Sequence, residues 1–74
     1  MNNYPNDIVV KIGNKIVQIR KDKGIKQLEL AAYASIDERV IRRIETGKAN
    51  PTIKTLEKIS QGLGVKVKDL FDFE

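Results

Sequence analysis

The 74-residue chain contains no cysteine and no histidine. Composition therefore excludes disulfide bonds, thiol nucleophiles, zinc-finger ligand sets and histidine-based catalysis. The lack of cysteine also fits a reducing compartment, and we expect a cytoplasmic protein. Without a disulfide or a structural metal, the fold must depend on one small apolar core.

Aromatic residues are also scarce, with two tyrosines and two phenylalanines. None of them alternates with the lysines and arginines, so stacking on single-stranded bases is not favoured. No apolar run is long enough to span a membrane, and the polar first seven residues do not resemble a signal peptide. We therefore expect neither a membrane segment nor a leader.

Charge is present in excess and is distributed unevenly, with 14 Lys and Arg against 10 Asp and Glu, a net charge of +4. Residues 11–26 carry six basic side chains and one acid, and residues 38–58 carry six and three. The last six residues carry three acids and no base. We predict a single domain over residues 1–74, with an N-terminal arm at 1–7, a basic half that suits DNA and an acidic tail at 72–74.

Apolar residues recur at helical spacing, and glycines follow the periodic stretches. This pattern predicts five helices: about 8–23 with a cap at Asn6 or Asp7, 27–34, about 38–46 after the cap Asp37, a fourth after the cap Thr52, and a short fifth after Gly64. The residues expected to face the core are Val9, Ile12, Ile16, Ile19, Leu30, Ala31, Ala34, Val40, Ile41, Ile44, Leu56, Ile59, Ser60, Leu63, Val67, Leu70 and Phe71. Gly13, inside the first helix, indicates either a close backbone approach or a weak point.

The second and third predicted helices are separated only by Ser35 and Ile36. A turn this short prevents antiparallel packing and favours the steep crossing of a helix-turn-helix. Ala31 provides the small side chain that two closely crossing helices require. Ser35 occupies a turn position that favours glycine, at a cost of about 1 kcal/mol.

The chain resembles the Cro/repressor-type, XRE-like helix-turn-helix family. The resemblance is carried by Gln27–Ala31, Val40–Lys48, Asn50–Thr52, Leu63–Val65 and Asp69–Phe71, and it covers about residues 12–71. It implies an all-α, compact five-helix bundle of the lambda-repressor-like type, which regulates transcription as a DNA-binding homodimer without a cofactor. Small free-standing members of this kind include phage Cro-like repressors and the controller proteins of restriction–modification systems.

The chain departs from the family pattern at four positions. Lys26 and Lys66 stand where a capping Ser or Thr is usual, Ser35 replaces the turn glycine, and Leu28 is apolar where the family is usually polar. Glu29 is left to provide the reciprocal half of the capping box at the second helix. We therefore expect weaker helix ends and an unchanged fold.

The third helix is expected to lie in the major groove of duplex DNA. If Val40, Ile41 and Ile44 face the core, the outward residues that would read base edges are Glu38, Arg39, Arg42 and Arg43. Arg39 and Arg43 are the preferred candidates for guanine, at about 1–3 kcal/mol of discrimination each. Glu38 would either accept from a cytosine amino group or pair with Arg42 one turn away. The alternative for all four is a solvated charged face.

Three further sets of residues have expected roles. Phosphate contacts are expected from Gln27 at a helix N-terminus and from Lys26, Lys48 and Asn50. By resemblance, Arg20 and Glu45 are expected to form a structural ion pair. A dimer interface is expected at Leu70, Phe71 and Phe73, although Phe71 is also a core candidate and Phe73 is the better interface candidate.

Catalysis is not expected, because Glu29 and Asp37 are better interpreted as capping residues than as an acid–base pair, and no metal site is expected. The main alternative to DNA binding is a protein-interaction module on the same scaffold, such as an antitoxin or a coactivator-like bridge. Leu28 and the C-terminal aromatic residues motivate this alternative. Its partner would be a protein such as a toxin or a polymerase.

Overall fold

The structure is a computed structural model that describes residues 4–73. It contains four α-helices: α1 (Tyr4–Asp22), α2 (Gln27–Ala34), α3 (Glu38–Glu45) and α4 (Ile53–Leu63). A 3₁₀ helix, Val67–Phe71, follows α4. The predicted all-α class is confirmed, but the count of five is wrong, because the last segment forms a five-residue 3₁₀ helix and not a fifth α-helix. No helix within this range is long and apolar enough to cross a bilayer.

The first helix begins earlier than the sequence pattern predicts. Because α1 starts at Tyr4, residues 4–7 belong to the helix and not to an arm, and neither Asn6 nor Asp7 is its cap. Pro5 falls in the first helical turn, where a residue without a backbone N–H costs no hydrogen bond. Residues 1–3 of the expected arm and Glu74 of the expected tail lie outside the described residues.

The core draws on every helix of the described chain. Its buried apolar side chains are Val9, Ile12, Ile16, Leu30, Ala31, Ala34, Ile41, Ile44, Leu56, Ile59, Leu63 and Leu70. Ile19 is only partly buried and packs against the edge of this cluster. Because α2 and α3 both contribute, the core fixes their mutual orientation as well as the overall fold.

The turn between α2 and α3 has the geometry that the sequence predicts. Ser35 adopts the left-handed conformation, with φ 57° and ψ 47°. The backbone N–H of Ile36 donates to the carbonyl oxygen of Ala31 at 2.9 Å and closes the turn. Ala31 is buried at the crossing. The helix-turn-helix therefore forms with a serine at its left-handed position.

The two lysines at helix starts behave as expected. Neither provides a side-chain cap, and the backbone N–H of each donates to a carboxylate three residues later. The N–H of Lys26 donates to Glu29 Oε1 at 2.8 Å, and that of Lys66 to Asp69 Oδ2 at 2.9 Å. Half of each capping box is thus present.

The two C-terminal aromatic residues have exchanged their expected places. Leu70 is fully buried, and Phe73, three residues later, packs against the core with its ring 5.7 Å from Lys11 Nζ. Phe71 is 37% exposed. The assignment of Phe71 to the core is therefore wrong, and so is the placement of Phe73 beyond the core.

Candidate nucleic-acid interface

Helix α3 presents three arginines to solvent. Its N-terminus is capped by Asp37, whose Oδ1 accepts from the backbone N–H of Arg39 at 2.8 Å. The helix buries Ile41, Ile44 and Glu45, while its solvent side carries Arg39, Arg42 and Arg43. We call this solvent side, with the flanking Glu38 and Val40, the α3 surface.

Val40 belongs to the α3 surface, contrary to its prediction as a core residue. It is 41% exposed, whereas the charged Glu45 is buried. Residues 40 and 45 are about 140° apart on a helix, so both cannot lie at the centre of one buried stripe. Burial of Glu45 turns α3 so that Val40 lies at the rim of its buried face.

Arg39 is joined to the residue that caps its own helix. Its Nη2 lies 3.1 Å from Asp37 Oδ2, and its Nε donates to Asp37 Oδ1 at 3.3 Å. The side-chain hydrogen bond from Arg39 lowers the pKa of the Asp37 carboxyl, and the same bond raises the pKa of Arg39. Both groups are therefore charged at neutral pH, although Arg39 keeps 81% of its side chain exposed.

The other two arginines have different partners. Arg42 Nη2 lies 3.4 Å from Glu38 Oε2, which is the pairing one turn apart that was one of two alternatives for Glu38. Arg43 Nη2 donates to the carbonyl oxygen of Lys48 at 3.1 Å. All four expected base-reading residues therefore lie on one helix, and each has a charged or polar neighbour within the chain.

A buried ion pair holds the C-terminal end of α3. Arg20 Nε lies 2.7 Å from Glu45 Oε2, and Arg20 Nη2 donates to Glu45 Oε1 at 3.0 Å. Arg20 Nη1 also donates to the carbonyl oxygen of Ile25 at 2.9 Å. The expected pair is therefore present, and it connects α1 and α3 across the loop before α2.

Gln27 joins this pair, which the sequence pattern did not indicate. Its side-chain amide donates to Glu45 Oε1 at 2.8 Å. The residue is half-buried at the N-terminus of α2 and was expected to contact a phosphate. Only its position at a helix start points to a role, since nothing in its sequence neighbourhood indicates a bond to residue 45.

The remaining phosphate candidates lie on the loops beside the helix-turn-helix. Lys26 directly precedes α2, and Lys48 and Asn50 lie in the connection from α3 to α4. All three are exposed. The structure thus places basic or amide side chains at the start of α2 and directly after α3.

Comparison with known proteins identifies the family. The helix-turn-helix family model HTH_3 matches residues 16–70. The chain belongs to this family. It is a DNA-binding transcriptional regulator and not an enzyme, as the sequence predicted, since its relatives are control proteins and HTH-type regulators.

Three relatives of this helix-turn-helix regulator show how far the similarity extends. Control protein C.MunI of Mycoplasma sp is 42% identical, covering 89% of this chain and 90% of that protein. Control protein C.BamHI of Bacillus amyloliquefaciens is 41% identical, covering 92% and 85% respectively. The crystal structure of the restriction-modification controller protein C.AhdI from Aeromonas hydrophila superimposes with a TM-score of 0.83 at 27% identity, covering 85% of this chain and 96% of that one.

The three residues of this regulator that were expected at a dimer interface differ in how exposed their side chains are. Leu70 is fully buried, so its expected role as an interface side chain is wrong. Phe73 is half-buried, whereas Phe71 is exposed.

Among the described residues, no group of three acidic, histidine or cysteine side chains could hold a metal ion.

Proposed function

We propose that this chain is the controller protein of a restriction–modification system and binds a pseudo-palindromic operator as a homodimer. The similarity to control proteins over nearly their whole length supports the biological role. The observation that carries the DNA-binding mode is the α3 surface, because an eight-residue helix exposing three arginines is suited to the major groove.

Within this proposal, Arg39 and Arg43 read guanines. Each offers two parallel N–H groups to the O6 and N7 acceptors of guanine, a contact that discriminates by about 1–3 kcal/mol. Arg42 is held by Glu38 and assists from the side of the helix. If Arg42 moves to a phosphate on binding, Glu38 is released to accept from a cytosine amino group.

Phosphate contacts fix the register of α3 in the groove. Gln27 keeps its amide on Glu45 and offers the second amide hydrogen, together with the α2 N-terminus, to a phosphate. Lys26, Lys48 and Asn50 contact phosphates on either side. These contacts position the protein without reading sequence.

The proposed homodimer uses the C-terminal end of the fold, where the side chain of Phe71 is exposed. A two-fold axis there would place two α3 helices on half-sites about one helical turn apart. The acidic residues near this end would face away from DNA, since phosphates repel them.

Selection of bound sites from random duplexes tests the proposal most directly. We expect two inverted half-sites that contain guanine, at a fixed spacing. The affinity of the selected duplex should fall with salt at a log–log slope of about −5 if the dimer contacts about six phosphates. Enrichment of no sequence, or a slope near zero, would contradict DNA reading by the α3 surface.

A second candidate function is a protein-interaction module, and Leu28 is the observation that favours it. Leu28 is 65% exposed and lines a groove between α2 and α3 with Ala32 and Ile36. Gel filtration with light scattering separates the two functions in part. A strict monomer without affinity for any duplex would favour the interaction module over the operator-binding dimer.

A further inference from the structure

We propose that Asp37 is a positioning residue for base recognition, which holds the guanidinium of Arg39 so that its outer edge faces a guanine. The inference rests on the proposed function, since it requires Arg39 to read a base. It gives Asp37 a second role beyond the capping of α3.

The hydrogen bonds define which edge of Arg39 is left. A guanidinium carries five N–H donors, one on Nε and two on each Nη. Arg39 Nε donates to Asp37 Oδ1 at 3.3 Å, and Arg39 Nη2 donates to Asp37 Oδ2 at 3.1 Å, so Asp37 occupies the edge formed by these two nitrogens. The edge formed by Nη1 and the second Nη2 hydrogen is left for a ligand. Those two parallel donors match the O6 and N7 acceptors of guanine.

The carboxylate of Asp37 is itself fixed by the backbone. Its Oδ1 accepts from the Arg39 N–H at 2.8 Å, so the carboxylate cannot rotate away without uncapping α3. An arginine side chain loses considerable rotamer freedom on binding, and a partner that holds it beforehand reduces that loss. The first turn of α3 thus fixes the carboxylate, and the carboxylate fixes the guanidinium.

The other arginines of the α3 surface are not held in this way. Arg42 contacts Glu38 at 3.4 Å, and Arg43 makes a bond to the Lys48 carbonyl oxygen. Only Arg39, among the described arginines of α3, is held at two points by a carboxylate. It also lies nearest the N-terminus of α3, the end of a recognition helix that meets base edges.

The charge of Asp37 separates positioning from simple attraction. The carboxyl is ionised at neutral pH, and the hydrogen bond from Arg39 lowers its pKa further. A carboxylate beside DNA repels phosphates, so its removal should strengthen binding to unrelated DNA. If Asp37 positions Arg39, the same removal should nevertheless weaken discrimination at one base pair. The two effects have opposite signs.

The test uses the full chain with Asp37→Ser and Asp37→Asn. Serine and asparagine cap helices about as well as aspartate, so thermal stability should change little. Serine cannot hold the guanidinium at two points, and asparagine is able to offer it one neutral acceptor. The measurement is the ratio of affinities for the selected duplex and for a duplex changed at the guanine that Arg39 reads.

We expect Asp37→Ser to lower this ratio about fivefold and Asp37→Asn to lower it less, with equal or tighter binding to unrelated DNA. Arg39→Ala should abolish the discrimination, and adding Asp37→Ser to it should have no further effect. Glu57→Gln is the matched control. It also removes one exposed negative charge, but it lies on α4, outside the α3 surface, and should leave the ratio at this base pair unchanged.

Two results would overturn the inference. Unchanged discrimination in Asp37→Ser would show that Asp37 acts only as a cap, while DNA reading by Arg39 would stand. If Asp37→Ser lowered the discrimination equally in the unmodified protein and in Arg39→Ala, the conclusion would be the same. If the unmodified protein prefers no sequence, the proposed function itself fails, and the inference fails with it.

Discussion

Gly13 of α1 lies directly against the backbone carbonyl oxygen of Ile44 in α3. A methyl group at residue 13 would overlap with that oxygen and stand 3.1 Å from the carbonyl oxygen of Glu45. These neighbours are backbone atoms, which move only with the whole helix. The glycine inside α1 is therefore explained by a close approach of two helices, and not by a weak point in the first.

Gly13→Ala is expected to destabilise the protein. Alanine gains about 1 kcal/mol of helix propensity, but overpacking costs typically about 1–3 kcal/mol. We expect a net loss of about 1 kcal/mol in urea unfolding. Asn14→Ala, at the exposed neighbouring position, is the control and should be neutral or stabilising. A more stable Gly13→Ala variant would show that α1 and α3 separate without cost.

Arg20→Met should be much more damaging than removal of an exposed arginine. It leaves Glu45 buried without its cation, a situation that typically costs about 3–5 kcal/mol. Adding Glu45→Leu should recover most of the loss, because the net stabilisation by a buried ion pair is small. Arg42→Met, which breaks the exposed pair with Glu38, is expected to cost less than about 1 kcal/mol in the same urea experiment. Equal losses for the two arginines would contradict the structural role of the buried pair.

Ser35→Gly should stabilise the helix-turn-helix. Ser35 is exposed and has a φ of 57°, a conformation that costs a residue with a side chain about 1 kcal/mol. Glycine removes this cost, but its greater conformational freedom in the unfolded chain offsets part of the benefit. We therefore expect the free energy of unfolding to rise by about 0.5 kcal/mol in thermal unfolding. Base preference should be unchanged. Ser35→Val is the opposite control, since a β-branched residue at this φ should destabilise the turn.

The helices could largely be predicted from the sequence, because periodic apolar residues and glycine stops are local signals. The rim of the α3 surface could not, since it depends on a contact with another helix. Val40, Ile41 and Ile44 form a plausible stripe on their own. Only the partner of Glu45, twenty-five positions earlier in the chain, turns the helix so that Val40 is exposed.

The C-terminal aromatic residues were misplaced for a different reason. Residues three and four positions apart share one face of an α-helix. Counted from Val67, this spacing predicts that Leu70 and Phe71 face the core together. The 3₁₀ helix ends at Phe71, which is exposed, and Phe73, beyond the helix, packs against the core. A short segment after a glycine offers no sequence signal that distinguishes the two helix types.

Acid should remove the contribution of Asp37 to stability. Its folded-state pKa is lowered from 3.8, first by the side-chain hydrogen bond from Arg39, so the contribution is complete above about pH 4. It is lost as the pH falls through the lowered folded-state value. The melting temperatures of the unmodified protein and Asp37→Asn should therefore differ slightly at neutral pH, and this small difference should shrink below about pH 4. A difference that grows in acid would contradict the sign of the shift.

If the α3 surface lies in the major groove as proposed, the exposed methyl groups of Val40 should contact a thymine methyl group. Val40 lies one turn before Arg43, so the contact should fall beside the base pair that Arg43 reads. Replacing that thymine with uracil removes the C5 methyl group and should weaken binding about fourfold, at about 0.8 kcal/mol per buried methyl. Val40→Ala should bind the two duplexes almost equally, with little change in stability because the side chain is 41% exposed. Equal sensitivity to uracil in both proteins would place Val40 outside the DNA contact.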